Sequence, residues 1–152
     1  MAATDVSPLP LRDLKVVDFG QYMAGPAVAM ILADLGATVV HIDPPGGPLW
    51  DSPANATLNR NKLIITVDLK SAEGLEQAKA LIEEADIVIE NFRPGVMTRM
   101  GLDFTALRVD RPELITLSIP GFASNDELRR DWRAFESVIN AQLGVFTEMG
   151  VN

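Results

Sequence analysis

Five short runs of nearly uninterrupted apolar residues punctuate the chain, at 15–18, 38–42, 63–67, 87–89 and 114–118. They are rich in Val and Ile and too short for helices. Such runs read as strands covered on both faces, the habit of a parallel sheet. Helical patterns separate most of them. Pro26 suits a first helical position, 27–35 is a run of strong helix formers, and Gly36 suits the left-handed residue after it. Ser71 can cap a second helix whose Leu75, Ala78, Leu81, Ile82 and Ala85 share one face. Asp103 can cap a short third helix that Arg111-Pro112 ends, and a last helix is expected over about 130–143. The alternation predicts an α/β, Rossmann-like fold: a mainly parallel, right-handedly wound sheet with flanking helices. There are no internal repeats. The one long irregular stretch, 43–60, holds four prolines and two glycines, and connections of that length usually carry function.

Composition narrows the class. The 152 residues suit one domain with a real core, and 47% hydrophobic with 22% charged is ordinary for a globular chain. No apolar run approaches the length of a bilayer span. Residues 1–10 include Asp5 and lack a basic-then-apolar pattern, so they read as a flexible N-terminus rather than a secretory signal. The net charge of −8 argues against nucleic acid or an anionic membrane as partner. A small phosphorylated ligand, which needs only a few cations in one place, stays open. The chain has no cysteine and a single histidine, His41. That excludes disulfides and thiol catalysis, makes a metal site unexpected, and suits the cytoplasm. His41 lies inside an apolar strand and reads as structural.

Three segments could carry chemistry. In Asp18-Phe19-Gly20-Gln21-Tyr22-Met23-Ala24-Gly25-Pro26, a helix N-terminus arrives close to a strand end, where free N–H groups favour an anion. The turn lacks the central glycine of a dinucleotide fingerprint. Asp43 nevertheless falls about where a ribose-binding acid would follow one, so NAD is an alternative ligand. A bland reading, with a turn glycine and a helix-starting proline, accounts for the same residues. In the second segment, 89–101, Asn91 and Phe92 end a strand at the carboxyl edge where open α/β sheets bind ligands. Phe92 offers a stacking face, and Arg93 and Arg99 could converge on phosphate. A solvated turn with a buried Phe explains that spacing equally well. Lys70, Arg60 and Lys62 add cations that, taken singly, read as surface charges. The third segment is Trp132-Arg133-Ala134-Phe135-Glu136, where aromatic neighbours could raise the glutamate's pKa; a plain helix-surface carboxylate is the alternative.

Read in order, these segments resemble the class III (CaiB/BaiF-type) CoA-transferases, which include formyl-CoA transferases, carnitine CoA-transferases and α-methylacyl-CoA racemases. The matching blocks are Ala24-Gly25-Pro26, Leu32-Ala33-Asp34-Leu35-Gly36-Ala37-Thr38, Asn59-Arg60-Asn61-Lys62, Val67-Asp68-Leu69-Lys70, Asn91-Phe92-Arg93-Pro94-Gly95, Arg99-Met100-Gly101-Leu102 and Ser118-Ile119-Pro120-Gly121-Phe122. The likeness runs from about Leu11 to Gly150. It implies that residues 11–152 are the N-terminal, coenzyme A-binding part of the family's large domain, cut short. It further implies an interlocked homodimer at full length, and acyl-CoA and a carboxylic acid as substrates.

By position, the resemblance places coenzyme A contacts on Met23, Ala24, Val67, Lys70, Asn91, Phe92, Arg99 and Arg133, and an active-site carboxylate at Glu136. The family's nucleophilic aspartate would fall after Asn152, so no catalytic residue is expected among these 152 and the isolated stretch is expected to be inactive. Met23 and Pro44 depart from the polar residue and the arginine that formyl-CoA transferases place there, which weakens that specificity. A racemase remains an alternative, although no histidine lies near Glu136 where its acid–base pair would want one. A coenzyme A- or nucleotide-binding fragment without turnover is the other.

Overall fold

The computed structural model describes residues 9–148. The expectation of a flexible segment over 1–10 therefore falls, for residues 1–8, outside the described residues, as does the tail from 149 onward. Five strands, β1 (Lys15–Asp18), β2 (Thr38–Asp43), β3 (Leu63–Thr66), β4 (Ile87–Glu90) and β5 (Ile115–Ser118), form one sheet in the order β3-β2-β1-β4-β5. Every pairing is parallel. The helices are α1 (Ala24–Asp34), α2 (Pro53–Leu58), α3 (Ala72–Glu83), α4 (Val96–Arg99), α5 (Phe104–Asp110), α6 (Glu136–Gln142) and α7 (Val145–Glu148). None is long and apolar enough to cross a membrane.

Alternate strand residues feed two cores. Val16, Val39, Ile87 and Ile89 pack with Ala29 and Ala33 of α1. Val17, Ile42 and Val88 pack on the other face with Ala78 and Ile82 of α3 and with Met97, Leu102 and Leu114. This is the two-sided cover that the apolar runs predict. It holds for the inner strands only. On the sheet edges Leu63, Ile64 and Ile115 are more than half exposed, because an edge strand has a neighbour on one side and the helices centre on β1, β2 and β4.

The expected caps form. Ser71 Oγ accepts from the Gly74 N–H at 3.0 Å, and Asp103 Oδ1 from the Thr105 N–H at 2.9 Å. Gly36 follows α1 with φ +106°. Arg111 closes α3 at the other end, its guanidinium donating to the carbonyls of Ile82, Glu83 and Ala85 at 2.7–2.8 Å.

Three expectations change. Pro26 is the third residue of α1 rather than the first, since the helix starts at Ala24. The stretch 43–60 is not irregular throughout: Ser52 accepts from the Asn55 N–H and Pro53 opens α2. The helix expected over about 130–143 begins at Glu136, not near Arg130, and a further short helix, α7, follows it. Residues 126–135 instead fold back on Gly121-Phe122. Trp132 meets the Phe122 ring edge-on at 6.0 Å, Arg129 lies over the same ring at 5.9 Å, and a Cβ on Gly121 would collide with that of Ala134. These contacts outweigh local helix propensity, which sums to little over six residues.

Candidate functional site

The strand order reverses between β1 and β4, so the crevice beyond their carboxyl ends is the switch point where open α/β sheets take ligands. Two turns meet there. After β1 the chain passes through Phe19, Gly20, Gln21, Tyr22 and Met23 into α1. Gly20 and Gly25 approach so closely that a Cβ on either would lie 2.6 Å from the other's Cα. They bring helix against strand as closely as fingerprint glycines do, at a different spacing. After β4, Asn91 grips the first turn. Its Oδ1 accepts from the Gln21 N–H at 2.7 Å and its Nδ2 donates to the Gln21 carbonyl at 2.8 Å.

Beside this junction lies a cleft of about 480 Å³. The buried side chains of Phe19, Ile42 and Val67 form its floor. Phe92 and Met100 make one wall, and Pro44, Pro45 and Leu49 from the loop after β2 make another. Gln21, itself held by donation from Nε2 to the Ile42 carbonyl at 3.2 Å, enters the cleft with Lys70. The arrangement suits a flat aromatic group against Phe92 with anionic groups toward Lys70, the only cation lining the cleft among the described residues. A second cavity of about 560 Å³ shares Phe92 and runs past Glu90, Arg93 and Phe104 toward Ser118. Arg93 donates to the Asp131 carbonyl at 2.7 Å and so ties the 126–135 segment to this side.

Of the expected contact residues, Val67, Lys70 and Phe92 come together in the cleft. Asn91 spends both ends of its amide on Gln21, so it shapes the site rather than offering itself freely. Met23 and Ala24 sit exposed at the start of α1, outside the cleft lining. Arg99 is exposed at the end of α4 and folds back over Gly95. Arg133 and Glu136 are exposed on either side of Phe135, whose ring meets Tyr22 of the first turn edge-on at 6.1 Å.

Across the sheet from the cleft, on the α1 side, Asp18, His41 and Lys62 form a buried polar cluster. Asp18 Oδ2 lies 2.8 Å from His41 Nδ1 and accepts from Lys62 Nζ at 2.9 Å, while Oδ1 accepts from the Gly20 N–H at 2.8 Å. Lys62 donates its other protons to the Pro26 carbonyl at 2.9 Å and Asn59 Oδ1 at 3.0 Å. Lys62 is thus no surface cation; its side chain is wholly covered. Asp43 is buried beside His41, with 3.3 Å between Oδ1 and Nε2, and so does not present itself to a ribose as the NAD alternative requires. A single sequence carries no sign of this pairing, because Lys62 and Asp18 are 44 residues apart.

Burial holds the Lys62 ammonium below its ordinary value near 10.5, against the opposing pull of Asp18. The sign of the linkage follows. Between the depressed value and 10.5 the unfolded chain keeps a proton that the folded chain has lost, so stability rises with pH through that window. Urea midpoints measured at alkaline pH should show this increment, and Lys62→Met should lack it.

Fold and cleft define an open parallel α/β domain with a crevice at its switch point. A family model for CoA-transferase family III matches residues 11–152, and the chain belongs to that family. It is 69% identical over 144 residues to CoA-transferase/lyase DddD of Marinomonas sp. (strain MWYL1), covering 95% of this chain and 17% of that protein. Against succinyl-CoA–D-citramalate CoA-transferase of Chloroflexus aurantiacus the identity is 36%, over 91% of this chain and 37% of the relative. Among solved structures, Rv3272 from M. tuberculosis superposes with a TM-score of 0.85 at 34% identity, over 94% of this chain and 40% of that one. A CAIB/BAIF family protein from Brucella suis gives 0.81 at 35%, over 91% and 40%. The chain therefore spans well under half the length of these relatives.

Proposed function

We propose that the protein to which this segment belongs moves coenzyme A between an acyl-CoA and a carboxylic acid, and that residues 11–152 supply its coenzyme A-binding part. The observation that carries the reading is the convergence of Val67, Lys70 and Phe92 on one cleft at the switch point of a family III chain. In this reading Phe92 stacks on the adenine, and Lys70 answers phosphate charge that an acidic protein would otherwise repel. Arg99, Arg133, Met23 and Ala24 contact the remainder of the coenzyme.

The transfer is covalent carboxylate catalysis. An aspartate, expected beyond Asn152, attacks the thioester carbonyl and expels CoA thiolate, leaving a mixed anhydride. The thiolate attacks the aspartyl carbonyl and releases the donor acid, leaving an aspartyl-CoA thioester. The acceptor carboxylate repeats the two steps in reverse, which yields the new acyl-CoA and regenerates the aspartate. Glu136 stands beside this chemistry. The whole protein works in the cytoplasm as a homodimer. High identity to a relative named CoA-transferase/lyase favours one extension, a lyase activity in the same protein; a product that transfer alone cannot form would reveal it.

Calorimetric titration of the full-length protein tests the site. A lost charge-assisted contact is worth about 1.5–3 kcal/mol, so Lys70→Ala and Arg99→Ala should each weaken CoA about ten- to a hundredfold. Phe92→Ala should do the same through lost stacking, about 1–3 kcal/mol. Unchanged affinity in all three variants would refute the site. Tight NAD binding that Asp43→Ala abolishes would replace it.

A further inference from the structure

Tyr22 carries a main-chain conformation that its side chain disfavours. Its φ is +63°, one of two positive values at non-glycine residues among the described residues, the other being at an asparagine, which tolerates it. A bulky residue persists there only when its surroundings over-determine it. Those surroundings are visible. Asn91 holds both the N–H and the carbonyl of the preceding residue, Gln21. Gly25, three residues on, is pressed against Gly20. The backbone is thus clamped on both sides of Tyr22, and the ring is aimed out of the turn. It is 43% exposed and meets the Phe135 ring edge-on at 6.1 Å, with the planes at 87°. Phe135 is the residue immediately before α6, whose first residue is Glu136.

We infer that Tyr22 is a positioning residue: its strained backbone and its edge-on contact with Phe135 set where Glu136 stands relative to the Met23–Ala24 turn. The inference rests on the proposed transferase reading and adds to it a residue that neither the motif spacing nor the cleft lining singles out. It explains why a tyrosine occupies a left-handed position that asparagine or glycine would fill without strain.

The test uses the full-length protein with succinyl-CoA and a panel of small carboxylic acids, reading kcat, KM for the thioester and the thermal midpoint. Tyr22→Asn accepts the left-handed backbone but loses the ring. Its midpoint should equal or exceed that of wild type while kcat falls about ten- to a hundredfold, with KM for the thioester changed less than about threefold. Phe135→Leu should lose kcat comparably, and the double variant should be no slower than the slower single variant, since both remove one contact. Tyr22→Phe, which keeps the ring, should restore turnover. Wild-type kcat in Tyr22→Asn, or additive losses in the double variant, would overturn the inference while leaving the transferase reading standing. Failure of the wild type to bind CoA or turn over any acid would overturn both.

Discussion

Replacing Lys62 with methionine should destabilise the fold by about 3–5 kcal/mol, more than removing any exposed ion pair. The ammonium is fully covered, and each of its three protons has an acceptor: Asp18, the Pro26 carbonyl and Asn59. Methionine matches the length of the stem but returns nothing to Asp18, which is itself 0% exposed. Taking one partner from a buried pair leaves the other desolvated, with only the Gly20 N–H and His41 beside it, and that loss of the cation is the main cost. The exposed Lys15–Glu84 bridge, at 3.0 Å, should by contrast change stability little when cut. Urea unfolding at neutral pH decides this. The double variant Asp18→Asn, Lys62→Met should be less damaged than the sum of its parts, because no unpaired charge remains. A Lys62→Met midpoint within experimental error of wild type would show that Asp18 finds compensation elsewhere.

Gly25→Ala should damage ligand binding severely for a change of one methyl group. Its new Cβ would stand 2.6 Å from the Gly20 Cα, backbone against backbone, where no side chain can swing aside. Nor can Gly20 retreat freely, since its N–H is held by Asp18 Oδ1 and the Phe19 N–H by the Ile89 carbonyl, both at 2.8 Å. Overpacking of this kind costs about 3 kcal/mol, the upper end of the usual range. The turn must open, and with it Gln21, which lines the cleft and is clamped by Asn91. Loss of CoA affinity by more than about a hundredfold is expected, together with a lowered thermal midpoint. A variant that keeps CoA affinity while losing stability would show that the turn and the cleft move independently.

Both results depend on contacts that a linear reading does not contain, and the division is physical. Strand positions were legible in the apolar runs, because burial on two faces demands consecutive apolar residues in the inner strands and the edge strands β3 and β5 keep the same Ile-rich, strand-favouring composition. The caps at Ser71 and Asp103, and the left-handed Gly36, were legible too, since the cap hydrogen bonds join residues two or three apart and the torsion is the glycine's own. The family was legible through the order of its blocks; of the eight contact residues the resemblance implied, Val67, Lys70 and Phe92 line the cleft. Only the tertiary structure decided that Asn91 spends its amide on Gln21, that Lys62 turns inward to Asp18, and that Tyr22 is strained toward Phe135. Those pairs are separated by 70, 44 and 113 positions in the numbering, and propensity has no reach over such distances. The same limit explains where α6 begins. Residues 130–135 favour helix locally, but Phe122 and Gly121 offer aromatic and close backbone contacts that an isolated turn of helix cannot match.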